Sequence, residues 1–283
     1  MASNGTAGSP FFEIRAHPAG FLGAFATRPI PAGTLVLDDS PLFTLDAPLQ
    51  AYLFQRAQAG GSGGPTPVEG EDEEDDEPAK DLDEFLERNI KTMLSWKTED
   101  QRREFWDLAN TRPDLPPAYG IFATNAVQTH GEIGGMFLML SRFNSSCRPT
   151  LTRPAWDPTS HSTKLYALRD IEPGEECTWT YLNVTFEFEG VEARKEEMRQ
   201  VFHFECCCVA CDEANVTPAE RAASEKRLLR LRRYKERIAG FSSGGGTDDD
   251  EGQRKRLLGE MAQLSREEGL WETAQRLDQA AAA

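Results

Sequence analysis

Phe204-Glu205-Cys206-Cys207-Cys208-Val209-Ala210-Cys211 holds a C-x-C-x-x-C pattern within six residues. Three thiolates this close cannot face one point from a helix or a strand without a turn, but a metal ion can organise them. Zinc takes four tetrahedral ligands with sulfur at about 2.3 Å, so the triplet calls for a fourth ligand from elsewhere. Cys147 and Cys177 are the cysteine candidates, His203 is a local one, and Cys207 competes with Cys206 for a place. The bland alternative is a coincidental group of free cysteines. Disulfides are disfavoured, because Met1–Pro10 is rich in small residues and lacks the basic start and apolar run of a secretory signal. The spacing speaks for zinc; it does not speak for an enzyme.

Working outward, 283 residues suffice for one sizeable core with accessory segments. With 39% hydrophobic and 28% charged residues, the chain reads as soluble and globular. No apolar run approaches the roughly 20 residues that cross a bilayer, so no membrane association is expected. A reducing compartment, nucleus or cytoplasm, is the expected location. The net charge of −16 is concentrated. Glu69–Glu77 carries eight acidic side chains and Asp248–Glu251 four more, and without them the remainder carries −4. Both runs read as solvated, disordered loops; the sharper reading is that they steer basic protein tails toward the chain. Direct nucleic-acid binding is not expected, since phosphate contacts need a concentrated basic surface.

Strand character dominates Phe11–Phe43, with Gly33–Leu37 following the turn signal Pro31-Ala32-Gly33. Ile30-Pro31-Ala32-Gly33 is echoed by Ile171-Glu172-Pro173-Gly174. Asp81 with Glu84, and Thr98 with Gln101, predict two helix starts with capping boxes. Leu82, Phe85, Leu86, Ile90, Met93 and Leu94 keep to one helical face. Pro113, Pro116 and Pro117 are expected to end that stretch, and Ile121–Tyr181 to return to short strands, including Lys164–Leu168 and Cys177–Tyr181. After Cys211 the pattern is helical again. Leu228, Leu231, Tyr234 and Ile238 form one stripe, and Leu257, Met261 and Leu264 another, with Trp271 and Leu277 beyond. The basic residues within Leu228–Arg237 read as a solvated helix face or a nuclear address.

Several stretches, taken with the cysteine triplet, resemble the SET-domain protein-lysine methyltransferases, in particular the SET-and-MYND-like and fungal branch. Gly23-Ala24-Phe25-Ala26-Thr27-Arg28 is similar to the family's G-x-G-x-F-A-x-R. Ser141-Arg142-Phe143-Asn144-Ser145-Ser146-Cys147-Arg148-Pro149-Thr150 resembles S-R-F-N-H-S-C-x-P-N. Gly174-Glu175-Glu176-Cys177-Thr178-Trp179-Thr180-Tyr181 resembles G-E-E-I/L-x-x-x-Y, and the triplet resembles the post-SET F-x-C-x-C-x-x-C. Ile121–Ala126 is also similar to that branch. No cysteine lies between Asp46 and Ala118, so no MYND finger is present there.

The resemblance implies an α+β fold: a SET-type β fold of small curved sheets with a pseudoknot near Asn144–Cys147 and Tyr181. It divides the chain into residues 11–45 and 119–183 as two parts of the SET domain. Residues 46–118 form an insertion, a disordered acidic loop over 59–80 followed by helices. Residues 184–212 form the zinc-binding post-SET segment, and 213–283 a helical tail with a linker over 242–251. By the same resemblance Cys147 joins Cys206, Cys208 and Cys211 around one structural zinc. Tyr181 is the catalytic tyrosine, and Gly23, Ala24, Asn144, Ser145, Tyr181 and Phe204 hold S-adenosylmethionine. The implied partner is a lysine-containing protein, with a basic, histone-like one suited to an acidic chain. The implied reaction needs a neutral amine, whereas free lysine has a pKa near 10.4, so a narrow apolar channel must lower it. Four positions differ from the family pattern: Phe21 replaces the first glycine, Ser145 the histidine, Thr150 the asparagine, and Phe202 an aromatic that is frequently tyrosine. The alternative readings are a catalytically impaired SET-fold scaffold and a zinc-stabilised interaction protein without cofactor.

Overall fold

In the computed structural model, residues 11–48, 77–130, 134–241 and 248–282 are described. The start of the chain, 59–76 of the expected acidic loop and 242–247 of the expected linker lie outside them. The strands in chain order are β1 (Phe12–Ala16), β2 (Leu22–Ala26), β3 (Leu35–Asp39), β4 (Phe43–Thr44), β5 (Val127–Gln128), β6 (Gly134–Met136), β7 (Ala155–Asp157) and β8 (Ser162–Tyr166). The helices are α1 (Glu77–Ser95), α2 (Glu99–Trp106), α3 (Pro117–Asn125), α4 (Val191–Phe202), α5 (Pro218–Phe241), α6 (Asp248–Glu267) and α7 (Trp271–Ala282). Short strands make three small sheets, ordered β1–β2, β3–β8–β7 and β4–β6–β5. This is the α+β arrangement expected.

The described residues divide into two compact units. In the first (residues 1–37, 143–154 and 164–283), β1 and β2 form an antiparallel hairpin with Phe12 opposite Ala26 and Ala16 opposite Leu22. Its turn holds Gly20 at φ 93°, a left-handed conformation that costs glycine nothing. The echoed turns Ile30–Gly33 and Ile171–Gly174 pair with each other: Ile30 and Ile171 exchange reciprocal backbone hydrogen bonds of 2.9 Å. Gly33 and Gly174 both take positive φ, so the repeated I-x-x-G spelling, with a proline between, encodes two matching turns that hold each other. The expected strand Cys177–Tyr181 is instead an extended segment held by single bridges, Glu176 to Phe25 and Trp179 to Ser145.

The C-terminal helices pack within this unit around Phe188, Leu228, Leu231, Met261, Leu264 and Leu270, with Tyr234, Ile238 and Leu277 at the margin. The predicted stripes are therefore core. Asp248–Glu251, expected in a disordered run, begins α6. Arg232 and Tyr234 bond Glu189 and Glu260, so the basic stretch of α5 is partly tied down.

Glu268, 6% exposed, fastens this tail: its carboxylate meets Arg148, Arg227 and Ser224. Burial alone would raise the carboxyl's pKa, but the Arg148 guanidinium, with Ser224 and Arg227, outweighs it and holds the pKa below the usual value. A depressed folded pKa gives stability that is present above the unfolded value and lost as pH falls through the folded one. Glu268→Gln is expected to cost about 3 kcal/mol at neutral pH, because it leaves Arg148 buried and unpaired. Urea unfolding checks this, and the gap to the parent should close in acid.

In the second unit (residues 38–142 and 155–163), Leu42, Phe43 and Leu45 pack on Leu86, Ile90 and Leu94 of α1, with Phe105, Ile121, Phe122 and Met136. Thr98 and Gln101 form the predicted capping box of α2. Asp81 does not cap: α1 begins at Glu77, within the expected acidic loop, so Asp81 lies inside the helix. Pro117 does not terminate helical structure either. It occupies the first turn of α3, where its missing N–H costs nothing, and Ile121–Asn125 is helical rather than extended. Arg142 Nη2 donates to Asp107 Oδ2 at 3.0 Å. No helix among the described residues is long and apolar enough to cross a membrane.

Candidate functional site

Two stretches distant in sequence run side by side in the first unit. Ser146 N–H donates to Trp179 O at 2.9 Å, and Trp179 N–H donates to Asn144 O at 3.2 Å. Thr150 and Leu151 both donate to Thr178 O, and Thr150 Oγ1 accepts from Thr178 N–H at 2.8 Å. Thr150, which departs from the family's asparagine, thus fastens the same two segments together. The hairpin joins them through Cys177 N–H to Ala24 O at 2.8 Å.

Tyr181 stands where these segments meet. Its backbone N–H donates to Ser145 Oγ at 3.1 Å, so the serine that replaces histidine holds the tyrosine's main chain. Its hydroxyl donates to Phe143 O at 2.9 Å. Trp179, Phe202 and Phe204 surround its ring at centroid distances of 4.5, 5.4 and 6.4 Å. Burial, with the Glu176 carboxylate nearby, pushes the hydroxyl's pKa well above its ordinary value, so the group is a neutral donor.

Beside it is a cluster of polar groups. Asn144 Nδ2 donates to Leu22 O at 2.9 Å and to Glu176 Oε1 at 2.7 Å. A side chain at Gly23 would collide with Glu176 and come within 2.9 Å of Asn144 Nδ2, so glycine here makes room for the protein's own polar groups. His17 Nε2 lies 3.6 Å from Glu176 Oε2. Phe21, in place of the family's glycine, is 41% exposed and stacks on His17 at 4.4 Å. Of the six residues expected to hold the cofactor, Gly23 lies against Asn144, while Ser145 and Phe204 lie against Tyr181. Ala24 is fully buried, and its carbonyl accepts from Cys177 N–H.

The sulfurs of Cys147, Cys206, Cys208 and Cys211 lie within 4.8 Å of one another and can hold a metal ion. Cys147 Sγ is 4.0 Å from Cys206 Sγ and 3.6 Å from Cys211 Sγ, and Cys147 N–H points at Cys208 Sγ at 3.5 Å. A tetrahedron of sulfurs around zinc has edges of about 3.8 Å, so the four atoms already stand at ligand spacing. Of the alternatives left open, Cys177 is buried apart from the group with its thiol pushed up to about 12, mainly by burial. Cys207 is exposed, and His203 takes the left-handed residue that ends α4.

Three contributors were not singled out from sequence. Glu176 was visible only as a letter of the G-E-E motif, and Trp179 as one of its variable positions. Arg194 had no signal at all: an arginine on a charged helix is expected to face water, yet it is buried against Cys211 Sγ.

The SET-domain family pattern matches residues 22–182, more than half of the chain, and the chain belongs to the SET-domain family. It is 34% identical over 125 residues to histone-lysine N-methyltransferase set5 of Schizosaccharomyces pombe, a stretch covering 44% of this chain and 38% of that one. It is 26% identical over 159 residues to mouse histone-lysine N-methyltransferase SMYD3, covering 48% and 36%. It is 32% identical over 93 residues to human protein-lysine N-trimethyltransferase SMYD5, covering 31% and 22%. The matched stretches thus span little more than a third of these relatives at most. A solved structure, the SET domain of LSMT bound to lysine and AdoHcy, aligns with 98% of this chain and 87% of that chain. That alignment has 13% identity and a TM-score of 0.34.

Proposed function

We propose that this chain is an S-adenosylmethionine-dependent protein-lysine N-methyltransferase whose post-SET segment is fixed by one structural zinc ion. The carrying observation is Tyr181: its hydroxyl is pinned to the Phe143 carbonyl inside an aromatic wall, beside the hydrogen-bonded Asn144–Glu176 pair. Both amide hydrogens of Asn144 are committed, which leaves its oxygen as an acceptor next to the Glu176 carboxylate. Acceptors of this kind suit the α-ammonium group of S-adenosylmethionine, with Phe204 available to its flat part. Gly23 and Ser145 supply main chain at the same place.

When bound, the cofactor supplies an electrophilic methyl group on a sulfonium. The chain's own residues prepare the acceptor. Trp179, Phe202 and Phe204 exclude water, and a desolvated ammonium loses its proton more readily than the free value of about 10.4 allows. The neutral Tyr181 hydroxyl orients the amine, and holding two reactants in line supplies much of the rate. Cys147, Cys206, Cys208 and Cys211 would hold zinc and, in doing so, would tie the segment bearing Phe202 and Phe204 to the motif bearing Asn144. The substrate is a lysine-containing protein, and the net charge of −16 favours a basic, histone-like one in nucleus or cytoplasm.

The test is transfer of labelled methyl from S-adenosylmethionine to core histones and to a cell lysate, with calorimetric titration of the cofactor alongside. Cofactor binding and a labelled protein are expected. Binding with no labelled protein in any lysate would replace the enzyme by the scaffold reading. The purified chain is also expected to carry about one equivalent of zinc by metal analysis.

A further inference from the structure

Arg194 on α4 is 1% exposed, among the most deeply buried large side chains of the protein. Its Nη1 donates to Glu189 O, its Nη2 lies 3.8 Å from Cys211 Sγ, and its Nε has no partner. The contrast with its neighbours is informative. Arg148, next to Cys147, has the Glu268 carboxylate, and Arg153 has Glu187 and Glu272. None of the ion pairs among the described residues includes Arg194. A guanidinium so deeply buried without an anion is very costly. The fold therefore supplies negative charge there by some other means, and the nearest candidate is sulfur. Four thiolates around one divalent cation carry a net charge of −2, buried in the same place.

We propose that Arg194 is the resident counter-ion of the cysteine–metal centre, its Nη2–H donating to Cys211 Sγ and offsetting half of the excess thiolate charge. This rests on the zinc reading above and extends it. The residue is a positioning group that acts through Cys211 and touches neither substrate nor cofactor. Partners of this kind hold a ligand's lone pairs and orientation, and losing one typically weakens metal affinity about 10- to 100-fold. The arrangement also gives α4 a function beyond packing, since it carries the charge that makes a dianionic centre tolerable in an apolar setting.

The experiment uses the full chain and its Arg194→Gln and Arg194→Lys variants. Zinc affinity is measured by competition with a chromophoric chelator, and the cobalt-substituted proteins are compared by absorption. Arg194→Gln is expected to weaken zinc by about 10- to 100-fold. It should also move the sulfur-to-cobalt charge-transfer band to lower energy, because a thiolate without its N–H donor gives up an electron more easily. Arg194→Lys, which keeps the charge, should recover most of the affinity. Parent-like affinity and band position in Arg194→Gln would overturn the proposal, as would equal zinc loss in both variants with loss of helical signal, which marks a packing role alone. Absence of zinc and of thiolate–cobalt bands in the parent would instead overturn the zinc reading itself.

Discussion

Cys147→Ser is expected to strip the zinc from the protein and, with it, most of its affinity for S-adenosylmethionine. The triplet Cys206, Cys208 and Cys211 sits within one turn, whereas Cys147 lies 59 residues before Cys206. Cys147 is therefore the one ligand through which the ion cross-links distant parts of the chain. Structural zinc sites in small peptides contribute about 10–16 kcal/mol of apparent binding energy, which is folding energy when the unfolded chain has no such site. Removing one of four thiolates forfeits a large share of it. The damage reaches the pocket because Phe202 and Phe204 lie just before the triplet and form part of the wall around Tyr181. Metal analysis and calorimetric titration check both halves, with Cys177→Ser as the variant that should retain its zinc. Unchanged zinc in Cys147→Ser would remove this residue from the ligand set and return His203 or Cys207 to it.

What was legible in the sequence follows from what each residue's role depends on. A metal ligand must be one of few residue types at a spacing set by the ion, so Cys206, Cys208 and Cys211 announce themselves. Cys147 needed the resemblance, since nothing local separates it from Cys177. The turns at Gly33 and Gly174 were legible because positive φ selects glycine, but their pairing through Ile30 and Ile171 is tertiary and leaves no local mark. Pro117 misled because proline both ends helices and opens them, and only the chain's direction afterwards decides. Ala24 was expected beside Gly23 among the residues that hold the cofactor. Alternation along β2 sends its side chain to the opposite face, into the core. Gly23 was expected to hold the cofactor, and the space that its missing side chain leaves is taken by Glu176 and Asn144.

Tyr181→Phe is expected to lower methyl transfer by about 100-fold or more while leaving cofactor affinity within a few-fold and the fold intact. A hundredfold loss is about 3 kcal/mol of transition-state stabilisation. Removing a single hydrogen bond between the hydroxyl and Phe143 O should cost only about 1 kcal/mol of stability. The two readouts therefore separate chemistry from folding. The ring stays, so contacts with Trp179, Phe202 and Phe204 persist and no cavity opens. What is lost is the fixed polar atom that sets where the amine points. With its pKa held well above the ordinary value, mainly by burial, Tyr181 does not ionise in the working range. Parent and variant should then both speed up as pH rises, because the lysine amine must shed its proton in each, and the two profiles should run parallel. Full activity in Tyr181→Phe would remove the hydroxyl from the reaction. A variant profile that has lost its rise with pH would mean that the tyrosine, and not desolvation, takes the proton.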